Sequence, residues 1–371
     1  MKFSVSSADL LKQLQIVNGA IGSNPVLPIL EDFLFSIEGN KLTIAATDLE
    51  TSIRTATEVQ SSGDASIAIP AKILMDTLKA LPQQPITFSI NEETFAIEIT
   101  SAYGRYKLAG ENGADFPVIP TSDDVSTIVV PAPVLAQAIS KTLFATSNDE
   151  LRPAMTGVYF KVADNTLTCV ATDAHKLVRF SYDDIADVTE ADFIVPKKAL
   201  NLLKAALPQG DVVNLSFNRA NAFFSFGDVS MVCRLVDARY PDYNAVIPSD
   251  NPNTMTINRA DFQSSLKRIA IYANKTTNQV ILKITENSLT VSAQDLDFSN
   301  EATEQLTCTY EGDPLTIGFN AKFLGEMLNV LETDEVKMEL STSTRAGILL
   351  PSENNEDEKI LMLVMPVMLS N

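Results

Sequence analysis

The chain contains one histidine, His175, and Asp173 stands two residues before it in "ATDAHKL". An imidazole beside a carboxylate is the beginning of a general-base pair, which still needs a nucleophile or a metal to act on. No G-x-S-x-G elbow, P-loop, G-x-G-x-x-G or H-E-x-x-H occurs in the sequence. Cys169, Cys233 and Cys308 are far apart and form no C-x-x-C, so they read as reduced, buried thiols rather than as metal ligands. His175 is therefore expected in a turn or cleft. No catalytic residue, metal or cofactor is expected. The remaining residues with chemical potential are lysines. Lys72, Lys198 and Lys322 fall at one place in three similar segments, "IPAKILMDTLKALP" (69–82), "VPKKALNLLKAALP" (195–208) and "FNAKFLGEMLNVLE" (319–332). Recurrent cations suit the phosphates of a duplex, which attract charge without presenting sequence.

Those lysines need elements to hold them, and the elements recur too. "NKLTIAATD" (40–48), "NTLTCVATD" (165–173) and "NSLTVSAQD" (287–295) are copies of one strand, spaced by about a third of the 371 residues. Each follows an alternating strand, "DFLFSIEGN", "GVYFKVADN" or "QVILKITEN", which predicts a half-buried hairpin. Leu74, Leu78 and Leu81 have helical spacing. Pro70 and Pro196 suit a first helical turn, and Pro82 and Pro208 a stop. A second helix opens each unit, at 6–21, 132–147 and 259–275, and strands "ITFSI", "VVNLSF" and "VKMEL" follow the first. The fold class is α+β, with three similar domains of two helices against antiparallel sheets. Pro-rich polar linkers at 115–124 and 242–251 place the domains at 1–122, 123–250 and 251–371.

Net charge is −19, but the charge is sorted by element. The predicted helices carry Lys12, Lys72, Lys79, Lys141, Lys197, Lys198, Lys204, Arg259, Lys267, Arg268, Lys275 and Lys322 against only Asp9, Asp76, Asp261, Glu326 and Glu332. Geometry gives this sorting a purpose. Helices pack ~8 to 10 Å apart, so six in a ring leave almost no hole once their ~10 Å diameters are counted. Twelve leave roughly 25 Å clear, enough for a duplex on the order of 20 Å across. A head-to-tail pair of chains supplies twelve.

Across nearly its whole length the sequence resembles the bacterial sliding clamps, the beta subunits of the replicative DNA polymerase. The resemblance rests on "LPIL" (27–30), "TDLE" (47–50), "ATDAHKL" (171–177), "VPKKAL" (195–200), "YPDY" (240–243), "IGFNAKFL" (317–324) and "MPVML" (365–369), in order. It implies a homodimeric ring with helices around the hole, threaded by double-stranded DNA without sequence preference. The DNA-facing residues would be the helix cations Lys12, Lys72, Lys79, Lys141, Lys197, Lys198, Lys204, Lys267, Arg268, Lys275 and Lys322, with Arg152 from a loop. The resemblance also implies a cleft for a short peptide of the polymerase alpha subunit, clamp-loader subunits, repair polymerases, ligase and mismatch-repair proteins. Its matching positions are Met155, Thr172, His175, Lys176, Leu177, Pro241, Val246, Asn320, Phe323, Ala346, Leu363, Met365, Pro366, Val367 and Met368. At the dimer interface it places Arg105, Tyr106, Ile271, Tyr272, Glu301 and Glu304. The chain departs from the family pattern at Asn24, Asp149, Pro153, Ala154, Ala174, Lys176 and Met368, which bears on DNA contacts and peptide preference rather than on architecture.

The expected role is thus a non-catalytic processivity factor. The competing reading is a peptide-binding scaffold that does not encircle DNA, which the acidic net charge favours. No apolar run reaches the ~18 residues of a membrane helix, and the first residues, "MKFSVSSADLLKQL", lack the apolar stretch of a signal peptide. A cytoplasmic protein with no membrane partner is expected.

Overall fold

The structure, a computed structural model, describes residues 1–123, 125–186, 190–208 and 211–369. The linker expected at 115–124 ends at Asp124, which lies outside the described residues. The first repeat comprises β1 (Lys2–Ser6), α1 (Ser7–Asn18), β2 (Asp32–Glu38), β3 (Lys41–Thr47), β4 (Thr51–Glu58), β5 (Gln60–Ser61), β6 (Ala65–Pro70), α2 (Ala71–Ala80), β7 (Pro85–Ile90), β8 (Ala96–Thr100), β9 (Arg105–Ala109) and β10 (Glu111–Asn112). The second comprises β11 (Ser126–Pro131), α3 (Ala132–Thr142), β12 (Gly157–Ala163), β13 (Thr166–Thr172), β14 (Lys176–Tyr182), β15 (Ala191–Pro196), α4 (Lys197–Ala206), β16 (Val212–Phe217), β17 (Asn221–Phe226) and β18 (Val229–Arg234). The third comprises β19 (Asn253–Asn258), α5 (Arg259–Ile269), β20 (Gln279–Thr285), β21 (Ser288–Asp295), β22 (Asn300–Thr307), β23 (Thr309–Glu311), β24 (Leu315–Asn320), α6 (Ala321–Val330), β25 (Glu335–Leu340), β26 (Gly347–Pro351) and β27 (Glu358–Val364).

The helices form where the sequence repeats its apolar residues every three or four positions. Leu10, Leu14 and Val17 of α1, Leu74 and Leu78 of α2, and Phe262, Leu266 and Ile269 of α5 are all buried. Side-chain oxygens of Ser6, Asn258 and Asn320 cap α1, α5 and α6 by accepting from the backbone N–H groups of Asp9, Asp261 and Lys322, respectively. The opening helices are shorter than the periodicity predicts. α3 and α5 pass into tighter turns at Leu143–Ala145 and Ala270–Tyr272, and Leu143 and Ala145 are buried there.

The strands make four sheets. Their orders are β5-β1-β7-β8-β9, β10-β6-β2-β3-β4-β18-β17-β16-β11, β15-β12-β13-β14-β27-β26-β25-β19-β23 and β22-β21-β20-β24. The two nine-stranded sheets cross repeat boundaries. The strand that leaves the recurrent turn of one repeat, β4 or β14, pairs antiparallel with the last long strand of the next, β18 or β27. Compact units therefore differ from sequence repeats. One unit is Met1–Pro133 with Lys198–Leu235, and the other is Val134–Lys197 with Val236–Asn371. In the first unit α1 packs on α2, and in the second α5 packs on α6. The thiols of Cys169, Cys233 and Cys308 are buried and free, and burial pushes that of Cys233 up to about 12.

Candidate functional site

The recurrent Asp holds a tight turn in the first two repeats and a longer one in the third. Asp48 Oδ1 accepts from the N–H groups of Glu50 and Thr51, and Asp173 Oδ1 from those of His175 and Lys176. Asp295 Oδ1 accepts from Asp297. A carboxylate that bonds the backbone two and three residues on holds a tight reversal. It also supports Leu49 and Ala174 at φ 77° and 74°, a region that side chains rarely adopt.

In the second unit this turn carries a buried cation. The Lys176 side chain is only 6% exposed. Its ammonium donates to Asp173 at 2.9 Å, lies 3.1 Å from the Glu326 carboxylate of α6, and sits 4.3 Å from the centre of the Phe323 ring. A buried charge is tolerable only when paired in this way, and the aromatic face adds a further attraction. The His175 ring stacks on Phe323 at 6.1 Å, and Thr172 donates its hydroxyl proton to the Lys176 carbonyl. The lone imidazole thus faces an aromatic ring rather than a nucleophile.

Beside the turn lies an apolar cluster. Val170, Leu177, Ile194, Tyr240, Ala346 and Leu363 are its buried members, with the partly buried Ala154, Tyr159, Tyr243 and Ile247 packed against them. Tyr159 and Tyr240 stack at 4.6 Å, and Tyr240 donates to the Val170 carbonyl. Burial raises both phenols above their ordinary range, Tyr159 to about 12, so they remain neutral donors. Two backbone bonds tie down the segment that follows β27. Met365 N–H donates to the His175 carbonyl and Val367 N–H to the Gly318 carbonyl. Gly318 is required there, because a Cβ would stand 2.7 Å from the Val367 carbonyl oxygen. Asn320 caps α6 and donates to Thr277. Val246, Met365 and Met368 remain exposed although apolar, and Pro241 is exposed beside Tyr240. Met155, whose carbonyl accepts from Ser147, and Pro366 are half-buried. Exposed apolar residues, adaptable methionines among them, could meet an apolar partner.

The helix cations divide into two groups. Among the described residues, Lys12, Lys72, Lys79, Lys204, Lys267 and Lys322 are exposed and make no ion pair. The others are engaged. Lys198 pairs with Asp48, and Lys197 donates to Asn148. Lys141 is 14% exposed, between Glu358 and the Phe180 ring. Arg268 holds Glu304 through two 2.7 Å bonds, and Lys275 donates to the Ile271 carbonyl. Arg152 holds Asp149, whose carboxyl is kept below its ordinary range by that bond first and by the Leu151 N–H next.

Three family models cover the chain. The N-terminal domain of the DNA polymerase III beta subunit matches residues 1–120, the central domain 129–242 and the C-terminal domain 244–368. The chain belongs to the beta sliding clamp family. The beta sliding clamp of Vibrio cholerae is 30% identical over 371 residues, and that of Synechocystis 31% identical over 399, each covering 100% of both chains. Among solved structures, the Bacillus subtilis DNA polymerase sliding clamp matches with TM-score 0.94 at 25% identity. The Pseudomonas aeruginosa clamp bound to griselimycin matches with TM-score 0.94 at 27%; both cover 100% of each chain.

Against this sliding-clamp framework, the residues expected at a dimer interface fall on open edges. Arg105 and Tyr106 lie in β9, the last strand of the five-stranded sheet, and Glu301 and Glu304 in β22, the last of the four-stranded sheet. Ile271 and Tyr272 are exposed beyond α5. Glu304 differs from expectation in being compensated by Arg268 of its own chain, which also holds its carboxyl below the ordinary range. Sequence reading missed Asp173 and Glu326 as clamps on Lys176, and the Tyr159–Tyr240–Tyr243 cluster. "YPDY" was the one local sign of that cluster.

Proposed function

We propose that two copies of the chain close head to tail into a ring around duplex DNA, and that the cleft receives a short apolar peptide from the replicative polymerase, a clamp loader or a repair protein. The observation that carries this reading is the strand count. Two sheets have nine strands because β4 pairs with β18 and β14 with β27. The equivalent strands of the remaining joint are β22 and β9, and both stand at the open edges of four- and five-stranded sheets. Pairing β22 of one copy with β9 of another completes a third nine-stranded sheet, and the reciprocal pairing closes two chains. Open edges left unpaired are a hazard that proteins avoid.

The two internal joints also supply the register. Thr51 lies opposite Cys233 and Lys176 opposite Val364. The equivalent positions are Asn300 and Leu108, which sets Glu301 opposite Lys107 and Ala302 opposite Tyr106. Opposite charges facing across two strands stabilise the pairing.

In this reading Lys12, Lys72, Lys79, Lys204, Lys267 and Lys322 face phosphates and read no bases, while the acidic remainder repels a duplex elsewhere. The three units of the ring are residues 1–122, 123–250 and 251–371. The chain acts as a processivity factor in the cytoplasm, with no chemistry of its own, because His175 packs on Phe323 and Asp173 is engaged by the turn and by Lys176. The test is retention on DNA after loading, as salt is raised. A ring stays on closed circles and leaves linear molecules from their ends. Equal loss from both would favour a peptide-binding scaffold with a basic patch.

A further inference from the structure

At each internal joint, the recurrent turn of one repeat rests on the second helix of the next. In the first unit, Asp48 pairs with Lys198 of α4. In the second, His175 and Lys176 cover Phe323 and Lys176 pairs with Glu326, both on α6. Aligned on Lys72, Lys198 and Lys322, the corresponding residues of α2 are Lys72, Ile73 and Asp76. These three line an open groove of about 570 Å³ together with Thr77, Leu81 and Tyr106. Among the described residues no recurrent turn lines it, and Ile73 is 50% exposed. Its counterpart Ala199 is fully buried.

The turn without a helix is the third one. Its Asp295 makes the same backbone bond as Asp48 and Asp173, but two further residues lengthen it, and it carries Leu296 at 78% exposure and Phe298 at 73%. Two large apolar side chains exposed at one hairpin tip need cover. We propose that this tip is a latch: Leu296 and Phe298 enter the α2 groove of a second copy and pack on Ile73 and Tyr106. The inference rests on the ring reading and adds to it. Tyr106 belongs both to this groove and to β9, so the register that pairs β9 with β22 brings the tip to α2. Exposed Asp297 supplies a carboxylate for Lys72, as Asp48 does for Lys198. The latch is an apolar anchor at the rim of an otherwise polar strand pairing, and such anchors dominate dissociation.

The test uses the full chain and its dilution-driven dissociation, followed by light scattering and by subunit exchange between labelled pools. Leu296→Ser with Phe298→Ser is expected to speed exchange about tenfold or more. Ile73→Ser, on the opposite surface, should give a comparable increase, and combining the two sides should add little, as for partners in one contact. Unchanged binding of an apolar peptide at the cleft confirms that the second unit is folded. A dimeric wild type whose exchange rate is unchanged in both variants would overturn the latch and leave the ring. A wild-type chain that stays monomeric at micromolar concentration would overturn the ring reading and the latch with it.

Discussion

The two internal joints share one plan and differ in what fills them. At the first, Ala45, Ala68 and Val232 line the seam, and Phe116, Ile119 and Phe223 pack with them as a buried cluster. Arg54 donates to the Ile119 carbonyl and ties the linker down. At the second, the equivalent residues are Val170, Ile194 and Leu363, packed with stacked Tyr159 and Tyr240. Here Val246, Met365 and Met368 stay exposed. The charge at each turn differs in the same sense. Lys198 at the first joint is half exposed with one partner, whereas Lys176 at the second is buried with two carboxylates and a ring. The two joints thus share a backbone plan and differ in how deeply the turn's charge is buried and in which apolar residues stay on the surface.

The largest contrast should come from stripping the lysine partners. Replacing Asp173 and Glu326 with amides leaves the Lys176 ammonium buried and unpaired, at a cost of about 3–5 kcal/mol to the second unit in denaturant unfolding. Asp48→Asn at the first joint should remove less than about 1 kcal/mol from the Lys198 pair, which is exposed and screened. Similar losses at the two joints would break the comparison. Next in size is truncation of residues 365–371, which removes the Met365 and Val367 backbone bonds to His175 and Gly318. Peptide affinity by fluorescence anisotropy should fall about a hundredfold, worth about 2.7 kcal/mol, while the ring persists. An unchanged affinity would move the receptor elsewhere.

Smaller effects sharpen the picture. Lys267→Glu should reduce the salt slope of DNA retention by about one unit, whereas Lys141→Gln, in a site already held by Glu358 and Phe180, should leave the slope unchanged. A further difference between the units is their response to pH. Asp32 opens β2 in the first repeat where Gly157 opens β12 in the second. Burial first, then Glu111 and Glu31, raises the Asp32 carboxyl to about 6. A group whose folded value lies above its unfolded one binds its proton more tightly when folded. Its contribution is therefore present below about 4 and lost as pH rises through about 6. Asp32→Asn should flatten the pH dependence of the first unit's stability across that window and leave the second unit untouched.

Much of this was legible in the sequence. The threefold strand phrase ending in Asp48, Asp173 and Asp295 gave the hairpin and its turn, and the Lys72, Lys198 and Lys322 register gave the second helix. Periodicity set the apolar faces of α1, α2 and α5, because local spacing decides which side is buried. Two features were not legible. Edge pairing of β4 with β18 is a long-range choice that no local pattern encodes, so three repeats appeared as three separate bodies. The burial of Lys176 was equally hidden, since a lysine after "TDAH" reads as a solvated turn until Phe323 and Glu326, some 150 residues away, are brought beside it. The cleft residues themselves came from family likeness rather than from pattern.

The central claim is that the third joint copies the first two, but between chains. The most direct measurement is disulfide formation in a Lys107→Cys, Glu301→Cys variant, whose native thiols are buried. The register predicts rapid oxidation to a dimer linked at both joints, which stays on circular DNA in denaturant and is freed when the circle is cut. Failure to cross-link under conditions where the chain is dimeric, or a ladder of open oligomers, would contradict the account.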